Sequence, residues 1–251
     1  MTSRMLVTGG TGTLGRLTVP RLIEAGSKVT ILSRHAHPSA EGVEYVTGDL
    51  LKGEGIEPAV EGAETIVHLA GGPKGDEVAT ANLMRVAARA GVRHVVLISV
   101  VGADRVPIGY FRSKLGAEVA VRGSGVPWTT LRATQFHDLV LMVAQALSKL
   151  PVIPVPTGTR FQPIDAGDVA ARIAELALGQ PSGLVEDVAG PKIYQTSELM
   201  RSYLRAARRR RLLLPVRLPG KGARALRAGS NLAPDRAVDG RTWEEFLAAR
   251  F

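Results

Sequence analysis

The chain has 251 residues, of which 45% are hydrophobic, and carries a formal net charge of +9. Its length suits one α/β domain with a small appendage. The absence of cysteine excludes disulfides, thiolate zinc sites and a cysteine nucleophile, and it favours a reducing cytoplasm. The first four residues lead directly into an apolar run, which predicts no signal peptide. The longest apolar stretch, around residues 136–147, is too short and too polar to span a bilayer.

A glycine-rich turn, VTGGTGTLGR at residues 7–16, follows the first predicted strand and precedes apolar residues at helical spacing. Two dinucleotide-binding templates fit it, Gly9-x-x-Gly12-x-x-Gly15 and Gly10-x-Gly12-x-x-Gly15. Glycines let the backbone amides approach a pyrophosphate, and the helix N-terminus supplies unpaired N–H donors. The turn therefore predicts nucleotide binding. Its candidate cofactor-binding residues are Gly9, Thr11, Gly12, Thr13, Leu14 and Gly15.

The ends of the next predicted strands indicate which cofactor binds. Arg34 follows the second strand, where an arginine favours the 2′-phosphate of NADP(H) and an acidic residue would favour NAD(H). NADP(H) is therefore expected, with NAD(H) as the less favoured cofactor. Asp49, beside Leu50, either accepts from the adenine amine or caps the following turn. Small residues after the fourth strand, Ala70 and Gly71, would let a cofactor lie against the backbone.

Apolar runs alternate with helical patterns along the first 150 residues, which predicts a parallel sheet with helices on both faces. The predicted strands are 5–8, 28–32, 43–46, 65–69, 94–99 and 128–132. The predicted helices are 14–25, 77–90, 111–123 and 136–149. We therefore expect an α/β, Rossmann-type, doubly wound fold.

Tyr110 and Lys114 stand four residues apart, a spacing that puts both side chains on one helix face. A nearby ammonium lowers the pKa of a phenol, which would raise the phenolate fraction near neutrality. The phenol can then exchange a proton with a carbonyl or an alcohol while a hydride moves to or from nicotinamide. Ser99, at the end of the fifth strand, is the candidate that would hold the substrate oxygen.

The regular alternation of strand and helix patterns stops after residue 149. Residues 150–156 are proline-rich and predict an edge strand or an irregular crossover. Asp165 is expected to cap a helix over 169–178. Most of the excess positive charge lies in residues 201–227, where we expect a solvated, cationic helix end. Aromatic residues are scarce there, so no nucleic-acid partner is expected.

Together these motifs resemble the short-chain dehydrogenase/reductase superfamily, most closely its NmrA-like and quinone-reductase-like NAD(P)H-binding members. The likeness runs from residue 5 to about 168. It implies that the loop after the sixth strand shapes a substrate pocket. The pocket candidates are Thr134, Gln135, Phe136 and His137. Many relatives carry Arg-Pro where this chain has Arg132-Ala133, and the interval from Ser99 to Tyr110 is slightly short.

The sequence thus predicts a single Rossmann domain over 1–251, with a small substrate-side region formed by about 150–165 and 190–251. Its expected function is NADPH-dependent hydride transfer to or from a small carbonyl or quinone-like molecule. The alternative is a non-enzymatic NADP(H)-binding sensor, since NmrA-like members often lack the tyrosine; a nucleotide-sugar epimerase is weaker. We expect a cytoplasmic monomer or homodimer with a small-molecule substrate, no metal and no membrane association.

Overall fold

A computed structural model describes residues 3–38, 40, 42–72 and 74–251. Residues 1 and 2 belong to the short stretch from which we predict no signal peptide, and they lie outside the described residues. Contacts divide the chain into two compact units. Unit 1 comprises Met1–Ser99, Gly109–Arg132 and Val169–Glu186, and unit 2 comprises Val100–Ile108, Ala133–Asp168 and Asp187–Phe251. Segments 150–165 and 190–251 both belong to unit 2.

The secondary-structure elements are numbered in chain order. The strands are β1 Arg4–Thr8, β2 Lys28–Ser33, β3 Val43–Thr47, β4 Thr65–His68, β5 His94–Val100, β6 Trp128–Ala133, β7 Val152–Pro156, β8 Arg160–Phe161, β9 Gly183–Leu184, β10 Tyr194–Gln195 and β11 Leu212–Val216. The helices are α1 Thr13–Glu24, α2 Ile56–Val60, α3 Asp76–Arg89, α4 Gly109–Arg122, α5 His137–Leu147, α6 Ala166–Leu178, α7 Thr196–Ala206, α8 Lys221–Arg227 and α9 Trp243–Ala248, with a 3₁₀ turn at Pro234–Arg236. All six predicted strands and all four predicted helices before residue 150 are confirmed, within a few residues at their ends.

Unit 1 is built on a seven-stranded sheet in the order β3-β2-β1-β4-β5-β6-β9. The pairs β1–β2, β2–β3, β1–β4, β4–β5 and β6–β9 are parallel. The order reverses next to β1, which leaves a crevice outside the carboxyl ends of the strands, the usual ligand position in such sheets. The predicted Rossmann-type architecture is confirmed.

The core of unit 1 follows from the composition of its strands. All seven residues of β5 are buried, as expected of a central parallel strand that is covered on both faces. Strand residues such as Leu6, Ile66 and Leu97 pack in one cluster with Leu83 of α3 and Val121 of α4. The cluster fixes α3 and α4 against the sheet, and these two helices also contact each other extensively.

Unit 2 holds a second core. Residues of α5, α7, α9 and β7 form it, among them Leu141, Tyr203, Ile153, Trp243 and Phe246. The proline-rich segment after residue 149 contains a strand, β7, which pairs in parallel with β11.

Helix α6 begins at Ala166, three residues before the predicted start. Asp165 accepts a hydrogen bond from the Gly167 amide at 2.7 Å, so its predicted capping role is confirmed. Among the described residues, no helix is both long and apolar enough to cross a bilayer.

Candidate functional site

The glycine turn after β1 is tight because other backbone lies against it. Gly9 has φ +71°, and a Cβ there would lie 2.6 Å from the Ala70 amide nitrogen. The Gly12 amide donates to the Gly9 carbonyl at 3.0 Å. A Cβ on Gly15 would overlap that same carbonyl, so the first turn of α1 packs directly on the glycine turn. Only glycine therefore fits at positions 9 and 15.

The N-terminus of α1 is open to an anion. Gly12 is its N-cap and supplies no side chain, and the first turn contains no acidic residue. Leu14 and Gly15 are buried, so they can offer a ligand only their backbone amides. The unpartnered N–H groups and the helix dipole at this end suit a phosphate.

A groove of about 540 Å³ runs over the carboxyl ends of β1 to β4. Of the residues predicted to bind a cofactor, it is lined by Gly9, Thr11, Gly12, Arg34, Asp49, Leu50, Ala70 and Gly71. The structure therefore brings these residues, which are up to 62 positions apart, to one concave surface. This cradle of small residues and open amides fits a dinucleotide.

Two charged side chains of the groove differ in the hydrogen bonds that they make within the protein. Asp49 Oδ1 accepts from the amides of Leu51 at 2.8 Å and Lys52 at 3.3 Å, so this oxygen caps the turn, the second of the two predicted roles. Arg34 is exposed, and no hydrogen bond or ion pair to another described residue holds its guanidinium. It is available to an anionic ligand.

Lys114 is held by a carboxylate that sequence reasoning missed. Its Nζ lies 2.7 Å from Oδ2 of Asp76, the first residue of α3, and both residues are buried. The other oxygen of Asp76 accepts from the Gly72 amide at 2.7 Å, and the Asp76 amide donates to Ser113 Oγ at 3.0 Å. The pair sits at the groove, because Asp76 and Gly71 line it and a Cβ on Gly71 would overlap Lys114 Nζ.

Tyr110 lies on the same face of α4 as Lys114, one turn earlier. Burial raises the pKa of its phenol above the ordinary value, and the Asp76 carboxylate raises it further. The expectation that Lys114 lowers this pKa is therefore wrong for the structure. The ammonium is paired with Asp76, and the phenol, whose pKa lies above its ordinary value, is protonated at neutral pH.

Ser99 is buried at the end of β5 and already has a partner. Its hydroxyl donates to Glu118 Oε1 at 2.5 Å. Glu118 in turn receives two hydrogen bonds from Arg132, at 2.8 and 2.7 Å. The structure thus joins Ser99 to α4 through Glu118, one turn beyond Lys114, and the hydroxyl is committed to that carboxylate.

His68, at the end of β4, is a buried link between elements. One ring nitrogen is hydrogen-bonded to Thr8 at 2.6 Å and the other to Thr80 at 2.9 Å. Burial, helped by the Lys114 charge, lowers its pKa to about 3. It therefore stays neutral and connects β1, β4 and α3.

The four pocket candidates lie in unit 2 and differ in character. Thr134 Oγ1 accepts from the Gly190 amide at 3.3 Å, and Phe136 is the N-cap of α5. His137 is buried beside Phe246, with Nε2 2.9 Å from the Arg241 carbonyl oxygen, and burial lowers its pKa. Gln135 is also buried, yet neither polar atom of its amide has a hydrogen-bond partner among the described residues.

Comparison with known proteins places the chain. A family model described as NAD(P)H-binding matches residues 9–178. The chain belongs to this NAD(P)H-binding family. The match confirms the coarser part of the predicted resemblance, and the finer placement among NmrA-like or quinone-reductase-like members stays a prediction.

Two curated relatives are reductases. The chain is 32% identical over 208 residues to (4-alkanoyl-5-oxo-2,5-dihydrofuran-3-yl)methyl phosphate reductase of Streptomyces griseus, covering 78% of this chain and 73% of the relative. It is 31% identical over 215 residues to the NAD(P)H azoreductase of Xenophilus azovorans, covering 82% and 74%. Among solved structures, an NADPH-dependent quinone oxidoreductase of Escherichia coli in complex with NADPH superposes with a TM-score of 0.82 at 18% identity, over 98% of this chain and 99% of that one. At 18% identity, the similarity to this oxidoreductase structure shows the fold alone.

Within the described ranges, no group of three or more histidine, aspartate or glutamate side chains is arranged to hold a metal ion.

Proposed function

We propose that this NAD(P)H-binding protein is an NADPH-dependent oxidoreductase that reduces a small carbonyl or quinone-like molecule. The observation that carries the proposal is the position of Lys114 beside the groove, where it pairs with Asp76 next to Gly71, with Tyr110 one turn earlier on α4. The reductase names of two relatives above 30% identity support the same reaction class.

The groove residues fit a dinucleotide in a definite direction. The open N-terminus of α1 and the glycine turn suit the pyrophosphate, and the small residues after β4 allow close approach of the cofactor. Arg34, without a partner in the described structure, offers a permanently charged planar fork to a 2′-phosphate, which favours NADPH over NADH. When bound, NADPH supplies a hydride.

Tyr110 supplies the proton. Its raised pKa keeps the phenol protonated, so its hydroxyl can donate to the oxygen of the acceptor as that oxygen becomes negatively charged. Lys114, fixed by Asp76, is positioned at the groove, where its ammonium can donate a hydrogen bond to the nicotinamide ribose. Gln135, in unit 2, stays a predicted pocket residue, and a buried amide with two unused polar atoms gains hydrogen bonds from a polar ligand.

Replacing Tyr110 tests the proposal. With NADPH and a panel of quinones and aldehydes, Tyr110→Phe should lower kcat by about 10²–10⁴, the usual contribution of a general acid, and leave the Kd of NADPH largely unchanged. Tyr45→Phe is the matched control, because Tyr45 lies on β3 with its ring 4.9 Å from that of His37. Equal turnover of Tyr110→Phe and the wild type would contradict the proposed role.

One observation favours the alternative, a NADP(H)-binding sensor without catalysis. The Ser99 hydroxyl is committed to Glu118, so the predicted trio of serine, tyrosine and lysine is not free to act together. In the same assay, tight NADPH binding without NADPH consumption by any acceptor would favour the sensor over the oxidoreductase.

A further inference from the structure

The positive charge of this chain is concentrated in one segment. Residues 199–234, here called the basic segment, contain ten lysines and arginines and no aspartate or glutamate. The rest of the chain holds 22 such cations against 23 carboxylates, so the entire excess of +9 resides in the basic segment. Such segregation is a feature of surfaces that meet anionic partners.

The basic segment contributes β11 to a two-stranded sheet with one apolar outer face. In the parallel register, Leu212 lies beside Val152 and Leu214 beside Pro154. Strand alternation places these four side chains on one face of the sheet, which we call the outer face. Leu212 is 72% exposed, Leu214 53% and Val152 40%. The alternate residues, Ile153, Val155 and Leu213, belong to the core of unit 2.

Cations flank the outer face at both ends. Lys149, Arg210 and Arg211 line one cavity with Pro151 and Leu212, where the strands begin. The Arg211 guanidinium donates to the Ser148 carbonyl at 3.0 Å, and this hydrogen bond holds the Arg211 side chain beside the sheet.

The opposite end of the outer face also combines an exposed leucine with several cations. Leu218, which is exposed, follows β11, and its carbonyl accepts from Arg227 of α8 at 2.9 Å. Helix α8 has no buried residue and carries Lys221 and Arg224 besides Arg227. The outer face is therefore an aliphatic patch between two groups of cations.

We propose that the outer face docks on an anionic lipid bilayer, with its leucines in the headgroup–acyl boundary and the flanking cations on acidic headgroups. Aliphatic side chains next to lysine and arginine are the composition of interfacial membrane-binding surfaces. A nucleic acid fits less well, since residues 204–242 contain no aromatic side chain for base stacking. An acidic protein would satisfy the cations and leave the leucines to be covered by other means.

Vesicle sedimentation tests the proposal on the full chain. We expect binding to vesicles of equimolar phosphatidylcholine and phosphatidylglycerol, weaker binding as salt rises, and little binding to phosphatidylcholine alone. Lys149→Gln with Arg210→Gln should weaken binding about 30-fold, as two lost headgroup contacts imply. Leu212→Ser with Leu214→Ser should weaken it by a factor on the order of ten or more.

The control pair is Leu184→Ser with Arg89→Gln, an exposed leucine and an exposed arginine of unit 1. It should bind vesicles as the wild type does, and thermal melting should show all variants folded. Three results would overturn the proposal. These are no binding to anionic vesicles, equal binding by the leucine pair and the wild type, or binding to an acidic polypeptide or DNA in place of vesicles.

Discussion

The raised pKa of Tyr110 depends on residues of two helices. Burial raises its pKa, and the Asp76 carboxylate at the start of α3 adds to the rise. Lys114, the one nearby cation in the predicted trio, is neutralised by that same carboxylate at 2.7 Å. A protonated phenol is the form that a reduction needs, so the local electrostatics favour proton donation over proton abstraction at neutral pH.

A pH profile follows from this arrangement. Because the pKa of Tyr110 is raised, the donor is fully present below its ordinary value of 10, and kcat for reduction should fall only above pH ~10. Asp76→Asn removes one cause of the rise and frees the Lys114 ammonium, so the alkaline limb should move to lower pH. Steady-state kcat against pH checks this; a limb that moves upward in Asp76→Asn contradicts it.

The ion pair between Asp76 and Lys114 could not be predicted from the sequence. The pairing of Tyr110 with Lys114 on one helix face follows from a spacing of four. Asp76 is 38 positions before Lys114, and its role depends on how α3 and α4 pack, which no local pattern reports. An acidic residue at the start of a helix after a strand-end glycine pair was the available signal, and by itself it indicates only helix capping.

The loop after β4 couples the groove to α4. Gly71 lies in this loop, and a Cβ there would overlap Lys114 Nζ and approach Asp76 Oδ2 to 3.1 Å. Gly72, the next residue, has room, since its Cβ would come no nearer than 3.7 Å to another atom. Neither glycine has a positive φ.

Gly71→Ala should therefore displace the flexible end of Lys114 without unfolding the protein. We expect kcat to fall by a factor on the order of 10², the effect of misplacing a group by about 1 Å, with little change in Tm. Gly72→Ala is the matched control and should retain near wild-type kcat. Equal activities of the two variants in the reductase assay would show that the loop does not set the position of Lys114.

The elements also differ in how well the sequence predicts them. The strands β1 to β6 are apolar runs bounded by glycine turns, and all were predicted. Strand β11 was not, because its residues, LLLPV, follow four arginines and its partner β7 lies 60 positions earlier. Two prolines in β7 and one in β11 also argued against regular pairing, which this two-stranded sheet tolerates because both strands have a free edge.

The protein as a whole carries neutral histidines in its interior, and this makes its stability depend on pH. Burial lowers the pKa of His68 to about 3 and lowers those of His94 and His137. The unfolded chain binds protons near pH ~6.5, whereas the native chain takes one at His68 only near pH ~3. Stability is therefore complete above the unfolded pKa and is lost as the pH falls through that window.

Urea unfolding measures this loss. His68 alone should reduce the free energy of unfolding by about 2–3 kcal/mol between pH ~7 and pH ~4.5. His68→Gln should flatten the pH dependence, although the variant loses hydrogen bonds to Thr8 and Thr80 at every pH. His35→Gln, which changes an exposed histidine, should leave the profile unaltered. A His68→Gln profile as steep as that of the wild type would contradict the assignment.

The proposed function requires the groove over β1 to β4 to bind NADPH with Arg34 at its 2′-phosphate. Calorimetric titration of the wild type, Arg34→Ala and Arg21→Ala with NADPH and with NADH tests it most directly; Arg21 is a surface arginine of α1 that donates to the Leu17 carbonyl. We expect one site per chain and tighter binding of NADPH than of NADH, a preference lost in Arg34→Ala and kept in Arg21→Ala. Binding of neither cofactor, or a wild-type preference for NADH, would contradict it.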